Sequence, residues 1–441
     1  MPKGKRKGKS GSSAPKIRPD GTLGITSDED SMNDNASVIS LASDSKSVVE
    51  EGNENETDET SIEEEFEEKL RDAIDGLSQK SAQGRTQCIE AICKAFTKRF
   101  IPDFVVDRRL TVADGIERSL KRGRGAEQGA AAQLAPLMCV QLGVGDCSEE
   151  LCRDLTPVLM LVARDPSVPA AARAKCCWAL GLLTFLAGGE MQDVMERMRA
   201  LEAIFSGSYL KGDGTLPTIT PEVGGLHAAA LSAWSLLLTL MAPGDVFMYM
   251  SDEDCNYLPE LSQLSELLES AHLDLRLAAG EVIALLYEQG RTHDSDFCSD
   301  VTEELVGKLR QLATDSHKYR AKKDRKTQRS SFRDIVQYVE DDVPPEVQVR
   351  FGQEMLLLDS WCRKKQYDAF CQVLGSGMNL HLTENELLRD VFELGEKVTP
   401  LTYASNKQTK QERHLLNAAA FKARTISRGK NRDKRSTVVA C

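Results

Sequence analysis

Apolar residues recur at helical spacing along most of the chain. The pattern opens at Phe66, and Leu70, Ile74 and Leu77 follow at intervals of four, four and three residues, which is the pattern of a helix that buries one face. Similar stretches continue to about residue 315. Aromatic residues make up only 5% of the chain, which favours helices packed on helices over an all-β core. The sequence therefore predicts an all-α fold.

The predicted helices resemble one another. Arg85, Arg173 and Arg276 are each followed by a small residue three positions on and by apolar residues six and seven positions on. Weaker copies begin near Gln128 and Ala229, so successive anchors lie 43, 45, 56 and 47 residues apart. This is the period of armadillo and HEAT repeats, whose units stack into a solenoid with one continuous core. We predict such a solenoid.

Two stretches interrupt the regular pattern. Residues 207 to 225 are rich in Gly, Pro and Thr, and they lengthen the third interval, so we interpret them as a loop insertion. Residues 224 to 244 carry no Asp, Glu, Lys or Arg and are long enough to span a membrane. Because this stretch lies on the repeat period, we predict a buried core helix and no membrane role.

The pattern changes after Pro344-Pro345. Residues 347–351 and 355–361 have the composition of a short hairpin, and helical spacing returns over 367–374 and 384–392. The chain is thus expected to divide into three parts. These are a tail over 1–61, an armadillo-like repeat domain over 62–345 and a small, mostly helical C-terminal module over 346–441.

Charge is distributed unevenly. The net charge is −12, yet residues 1–18 hold seven bases and no acid, whereas 28–68 hold sixteen acids against one base. Such a tail contains too few large apolar residues to offset the entropy of ordering, so we predict disorder over 1–61. Two basic patches stand out further along, with eight bases against one acid over 316–333 and ten against two over 407–435.

The sequence holds no recognisable catalytic or metal-binding motif. It has no C-x-x-C, no P-loop and no G-x-S-x-G, and its six histidines are far apart. The nearest approach to a zinc site is Cys362, Cys371 and His381, whose spacing matches no known pattern. The start of the chain lacks an apolar run, so we expect an intracellular protein with reduced cysteines. We predict no enzyme activity, no cofactor and no small-molecule substrate.

Several strings resemble one known family, that of the interferon-related developmental regulators. They are spread from about residue 62 to residue 435. These strings are Arg108-Arg-Leu-Thr-Val-Ala-Asp114, Leu312-Ala-Thr-Asp315, Tyr319-Arg-Ala-Lys322, Val373-Leu-Gly-Ser-Gly-Met378, Asn385-Glu-Leu-Leu-Arg-Asp390, Asn417-Ala-Ala-Ala-Phe-Lys-Ala-Arg424 and Arg432-Asp-Lys-Arg435. The resemblance implies an armadillo-type part, a family-specific C-terminal domain and no enzyme activity. It also implies one of two roles, a ribosome-bound repressor of translation or a nuclear transcriptional co-regulator.

We favour the first role, because the basic density exceeds what nuclear import alone requires. A helix predicted near 411–424, followed by a basic end, has the charge to hold the phosphates of ribosomal RNA. The bases expected to bind the ribosome or RNA are Lys422, Arg424, Arg428, Lys430, Arg432, Lys434 and Arg435, with Lys318, Arg320, Lys322, Lys323, Arg325 and Lys326 in the first patch.

Two alternatives stay open. In one, the protein is a nuclear scaffold whose solenoid groove binds transcription or deacetylase-complex proteins, with the basic ends serving import. In the other, the patch over 317–333 is an ordinary solvated helix face with Phe332, Ile335 and Val336 turned inwards. We therefore expect the protein in the cytoplasm, the nucleus or both.

Overall fold

The structure, a computed structural model, describes residues 55–251, 257–315 and 321–397, with side chains from residue 63 onwards. These residues form helices almost throughout, which confirms the predicted all-α fold. The first helix begins at Asn55, seven residues before residue 62, where the repeat domain was predicted to start. The acids of this stretch lie at a helix N-terminus, where the helix dipole favours negative charge.

Among the residues that the structure describes, thirteen α-helices build the repeat part. In chain order they are α1 (Asn55–Asp75), α2 (Ala82–Lys98), α3 (Pro102–Arg122), α4 (Ala126–Leu142), α5 (Asp146–Arg164), α6 (Ala170–Ala187), α7 (Met191–Phe205), α8 (Pro221–Leu238), α9 (Pro243–Ser251), α10 (Leu261–Glu266), α11 (Leu273–His293), α12 (Ser299–Thr314) and α13 (Lys322–Asp341).

These helices pair into repeats that stack side by side. Helices α2, α4, α6, α8, α11 and α13 pack in succession, and we call them the inner row. Each inner helix packs against a preceding outer helix, and the outer row is formed by α1, α3, α5, α7, α10 and α12. All five predicted repeat anchors lie on inner helices, which confirms the predicted helical repeat. The pair α12 and α13 adds a sixth repeat that the motif did not identify.

Two of the three anchoring arginines link one repeat to the next. Arg85 forms a two-pronged ion pair with Glu127 at the start of the next inner helix, with N to O distances of 2.6 and 3.0 Å. Arg276 donates two hydrogen bonds, of 3.2 and 2.7 Å, to the amide oxygen of Gln328 on the next inner helix. Arg173 instead donates to the backbone carbonyl of Ala163 at 2.8 Å. The repeat motif therefore records a physical joint, in which a base near the start of an inner helix fixes a neighbouring element.

Small residues let the inner helices approach closely. A Cβ on Gly181 of α6 would lie 2.9 Å from the Cβ of Ala233 on α8. A Cβ on Gly280 of α11 would lie 2.8 Å from both Phe332 and Ile335 of α13. Side chains at these positions would force the rows apart, so the glycines set the interhelical spacing.

The charge-free stretch over 224–244 covers most of α8, whose side chains are buried by its neighbours, as predicted. Its preceding loop ends earlier than expected, because Thr220 caps α8 and Pro221 takes its first position. Within the described residues, one helix is long and apolar enough to span a membrane, and this is α6 over Ala170–Ala187. Helix α6 packs between α4 and α8 and against α5, as a core helix does.

A β-hairpin follows the repeats, as the sequence predicted. Strands β1 (Val347–Phe351) and β2 (Glu354–Leu358) pair antiparallel, with Val349 opposite Leu356. Gly352 takes the turn position with a φ of +53°, which favours glycine. The second strand ends at Leu358 rather than Trp361, because Ser360 caps a new helix there.

The C-terminal helices do not stand apart from the repeats. They are α14 (Trp361–Leu374), a short 3-10 turn (Gly375–Gly377), α15 (Met378–Glu384) and α16 (Glu386–Val391), and together we call them the strap. The strap packs against inner helices from α11 back to α2. Described residues thus form an outer row, an inner row and the strap across it.

Candidate functional site

The predicted basic patch over 316–333 falls at the start of the sixth inner helix. Lys322, Lys323 and Lys326 are exposed there, and Arg325 is half-buried. Lys318 and Arg320 lie outside the described residues. So do the bases of the terminal patch, which are Lys422, Arg424, Arg428, Lys430, Arg432, Lys434 and Arg435. The structure therefore places four of the thirteen predicted binding residues, on one helix end.

A buried polar network holds this helix end in place. Gln328 lies one to two turns into α13, and its amide oxygen accepts from the Arg276 guanidinium. Its amide nitrogen donates to Asp315 Oδ2 at 3.1 Å and to the carbonyl of Leu312 at 3.2 Å. Arg276 also donates to the carbonyl of Ser270 at 2.6 Å. The basic turn is thereby joined to both α11 and α12, so its charges sit on a fixed support.

The apolar residues of α13 are turned inwards, as the alternative interpretation of the patch as an ordinary solvated helix face predicted. Phe332 and Ile335 are buried and Val336 is half-buried. This burial is expected whether or not the outward face binds a partner, so it does not decide between the two readings.

The position of the bases does bear on that question. Lys322 and Lys323 lie in the first turn of α13, where the helix dipole disfavours positive charge by about 0.3–1 kcal/mol each. Lys322 also lies one helical turn before Lys326, and like charges at this spacing repel. Asp324 is the only acid in this turn. The local energetics of this helix therefore do not favour lysines in its first turn.

Other exposed bases contrast with this arrangement. Lys121 and Arg122 lie in the last turn of α3, where the dipole favours them, and Lys121 pairs with Glu117. These bases are explained by local helix energetics. The start of α13 therefore stands out by its placement as well as by its charge.

The strap covers the C-terminal halves of the inner helices. It begins at α11, where both carboxylate oxygens of Glu288 accept from the backbone N–H groups of Trp361 and Cys362 at 2.7 and 2.8 Å. Gln366 then reaches Thr239 at the end of α8, at 3.2 Å. Glu288 on α11 thus caps the N-terminus of α14. It accepts hydrogen bonds from two backbone N–H groups that have no partner within α14.

A buried charge cluster fixes the middle of the strap. Lys365 is 5% exposed, and its Nζ donates to Ser232 Oγ of α8 at 2.5 Å and pairs with Glu281 of α11 at 3.4 Å. Burial alone would raise the pKa of Glu281, but the ammonium groups of Lys365 and Lys364 more than offset this and hold it below its usual value. A charged lysine buried at this depth is costly without such partners, so the cluster defines one docked position.

The far end of the strap reaches the first two repeats. His381 Nε2 donates to the carbonyl of Phe96 at 2.9 Å, and its Nδ1 faces the amide of Asn385 at 3.3 Å. The same amide donates to the carbonyl of Val140 at 2.8 Å. Burial lowers the pKa of His381, so the ring stays neutral with its proton on Nε2. Both ring nitrogens of His381 are thus engaged within the protein.

Other candidate chemistry is not assembled in the described part of the chain. No group of three or more His, Cys, Asp or Glu residues there could hold a metal ion, and Cys362 lies at the opposite end of the strap from His381. Burial raises the pKa of Cys177 to about 12, and that of Cys93 to about 12 as well. These thiols stay protonated at neutral pH, and the cysteines within the described residues are free.

Sequence reasoning missed the residues that dock the strap. Glu288, Glu281 and Lys365 each occur in ordinary helical surroundings, and their partners lie 73 to 133 residues away. The one available signal is the run of three bases, Arg363 to Lys365, that follows Trp361 and Cys362 at the helix start. That signal is too common to identify a buried pair.

Comparison with known proteins identifies the family. The family model described as interferon-related developmental regulator matches residues 35–340, and the one described as interferon-related protein conserved region matches residues 385–436. The second match begins at Asn385, the residue that closes the strap on α4, and runs through the terminal basic patch.

Individual relatives agree over most of their length. The chain is 45% identical over 385 residues to interferon-related developmental regulator 2 of Mus musculus, covering 87% of this chain and 86% of that protein. It is 42% identical over 415 residues to interferon-related developmental regulator 1 of Sus scrofa, covering 93% and 90%. Interferon-related developmental regulator 1 of Homo sapiens is 41% identical over the same length. The chain belongs to the interferon-related developmental regulator family, which is a family of regulators and not a known family of enzymes.

Proposed function

We propose that this regulator acts on translation, by binding ribosomes or similar RNA-rich assemblies through its basic residues and repressing their activity. One observation carries the proposal, namely the exposed lysines in the first turns of α13, which oppose the dipole of their own helix. Ribosomal RNA presents a dense row of phosphates, and binding to it turns this unfavourable local charge into a favourable contact. The terminal patch over 407–435 adds further bases of the same kind.

The covered inner row supports the same proposal. A solenoid that binds peptides in its groove needs free inner helices, whereas the strap here fills the C-terminal halves of that surface. The competing role of nuclear scaffold therefore has less groove available than the sequence suggested. Its partners would have to use another surface, such as the outer row, where Leu110 and Leu161 are 68% and 70% exposed.

Sedimentation with ribosomes tests the proposal. We would compare the full chain, a truncation lacking residues 407–441 and the triple variant Lys322→Glu, Lys323→Glu, Lys326→Glu at low and high salt. The matched control is a second triple reversal, Lys80→Glu, Arg124→Glu, Arg164→Glu, at exposed bases on other repeats. If about six phosphates are contacted, affinity should fall about a thousandfold between 50 and 200 mM salt.

The expected result is that the full chain and the control travel with ribosomes, while the truncation and the α13 variant are released. A translation assay in cell lysate should then show repression by the full chain and less by the α13 variant. If the full chain stays at the top of the gradient at every salt concentration, the ribosome proposal is wrong. In that case partners that remain bound after nuclease treatment would point to the nuclear scaffold.

A further inference from the structure

A cavity of about 230 Å³ lies beside the strap, on the part of the inner row that the strap leaves open. Its lining residues come from α2, α4 and α6 of the inner row and from α14 and the following turn of the strap. This volume is below the roughly 300–1,000 Å³ of pockets for drug-sized ligands. The cavity therefore suits one small planar group with its immediate attachments, rather than a folded segment.

Three lysines line the cavity. Lys94 and Lys98 are exposed and lie one turn apart on α2, and Lys175 comes from α6. Neither Lys94 nor Lys98 forms an ion pair with a carboxylate among the described residues. The nearest acid on α2 is Glu90, one turn before Lys94, so the cavity has a net positive charge and attracts an anion.

An indole ring lies in the same cavity. The chain has three tryptophans, of which Trp234 and Trp361 are 0% and 3% exposed, whereas Trp178 is half-buried and lines the cavity wall. Trp178 stacks on no described aromatic ring. A half-buried indole facing open space beside cations can stack on a planar group, and every nucleobase offers such a face.

Polar groups complete the lining. Gln133 accepts from Lys175 Nζ at 3.0 Å, which leaves its NH₂ group as a donor. Gln372 and Ser376 of the strap are exposed and also line the cavity. Amides and hydroxyls of this kind can hydrogen-bond the edge of a base or a ribose hydroxyl.

We infer that this cavity binds one unpaired nucleotide of single-stranded RNA, with the base stacked on Trp178 and the adjoining phosphates held by Lys94, Lys98 and Lys175. An acidic peptide would satisfy the lysines but would leave the indole without a planar partner. The inference rests on the proposed function in taking RNA as the polyanion, and it adds a contact far from α13. Because Gln372 and Ser376 belong to the strap, the site is complete only when the strap is docked.

Tryptophan fluorescence tests the inference directly. Trp178 is the one tryptophan that is not buried, so a base stacking on it should quench the emission of the full chain. The probe is a six-nucleotide single-stranded oligoadenylate, titrated at 0.1 M salt. Matched probes are an abasic ribose-phosphate oligomer of the same length and an oligoglutamate peptide.

We expect oligoadenylate to quench the emission and Trp178→Leu to weaken its binding about 5- to 100-fold, as measured by anisotropy of a labelled oligomer. Trp178→Phe should keep most of the affinity, because phenylalanine also stacks. Lys98→Ala should weaken binding about fivefold at 0.1 M salt, through the loss of one phosphate contact. Lys80→Ala, an exposed base away from the cavity, is the control and should change nothing.

Three results would overturn the inference. Equal affinity for the abasic oligomer and for oligoadenylate would make the site a charge patch only. Equal affinity for oligoglutamate, with equal sensitivity to Trp178→Leu, would make it a peptide site. Unchanged emission on addition of oligoadenylate would show that no base stacks on Trp178. None of these outcomes affects the sedimentation of the α13 variant with ribosomes, so failure here is distinguishable from failure of the proposed function.

Discussion

Reversing one charge at the start of α13 should stabilise the protein and weaken RNA binding at the same time. The substitution is Lys322→Glu, at an exposed position in the first turn. The variant places an acid where the helix dipole favours one, and it sets this acid one turn before Lys326 in the favourable order of a Glu to Lys pair.

The size of the effect follows from two contributions. Exchanging a base for an acid near the positive end of the helix dipole stabilises the helix by about 0.6–2 kcal/mol. Converting the repulsion with Lys326 into attraction stabilises it by about 0.4–1 kcal/mol more. Both are measured for exposed charges at low salt, and screening at physiological salt reduces them. We therefore expect about 1 kcal/mol of added local stability in α13.

RNA binding should change in the opposite direction. Loss of one phosphate contact lowers the affinity about eightfold at 0.1 M salt. It also reduces the slope of log affinity against log salt concentration by about one, because about one counterion fewer is released on binding. Hydrogen exchange over residues 322–333 reports local stability, and ribosome binding at several salt concentrations reports the contact. The matched control is Lys121→Glu, in the last turn of α3, where the dipole and Glu117 both favour the base. This control should destabilise its helix and leave ribosome binding unchanged.

Two outcomes refute the reasoning. Faster exchange at the start of α13 in Lys322→Glu would show that the lysine stabilises the helix, and its retention would then need no partner. Unchanged affinity and unchanged salt dependence would show that Lys322 contacts no phosphate. We expect the same substitution to increase the stability of α13 and to weaken RNA binding.

Three further perturbations test the packing of the repeats and the strap. Burial lowers the pKa of His227 from 6.5 to about 4. Between these two pH values the unfolded chain binds a proton that the folded chain does not bind, so stability falls as the pH falls. We expect the free energy of unfolding, measured by urea titration, to fall by about 2 kcal/mol between pH 7 and pH 5. Gly377→Ala would place a Cβ 1.9 Å from a backbone carbonyl of α2, and we expect roughly 3 kcal/mol of destabilisation with faster exchange in the strap. Lys365→Met should cost about 2 kcal/mol, because Glu281 then keeps only the more distant ammonium of Lys364 at 3.9 Å, and this loss should appear as a lower unfolding midpoint.

Each of these has its own control. His227→Gln should flatten the pH dependence between pH 7 and 5, and an unchanged slope would assign that dependence to other groups. Gly307→Ala lies on α12 with open space around it and should be neutral or stabilising by about 1 kcal/mol. Adding Glu281→Gln to Lys365→Met should recover part of the loss, since the carboxylate that lost its nearer partner is then replaced by a neutral amide. Strictly additive losses would argue against the pair.

The repeats could be predicted from sequence because their signals are local. Arg85, Arg173 and Arg276 share the same offsets of small and apolar residues, and the weaker copies near Gln128 and Ala229 fall at the same period. The sixth repeat lacked the signal because none of the bases in α13 is followed by a small residue three positions on. The hairpin was also predictable, since Pro344-Pro345 and alternating residues mark it locally.

The strap and the cavity could not be predicted in this way. Docking depends on contacts such as His381 with Phe96, which lie 285 residues apart, and nothing near either residue signals the other. The cavity takes its lysines and Trp178 from two inner helices and part of its wall from the strap. The α13 bases were visible as charge density, but their conflict with the helix dipole required the helix boundary.

The strap has a consequence for how the chain folds. A simple repeat array joins only sequence neighbours, so it can grow or fray from either end one unit at a time. Here the contacts of His381 and Asn385 span 285 and 245 residues, and they tie the last helices to the first. High contact order of this kind slows folding, because a long loop must close before the contacts form. During synthesis the early repeats therefore gain their contacts with the strap only after the chain up to residue 391 has been made. Once the strap has docked, we expect the whole array to unfold as a single cooperative unit.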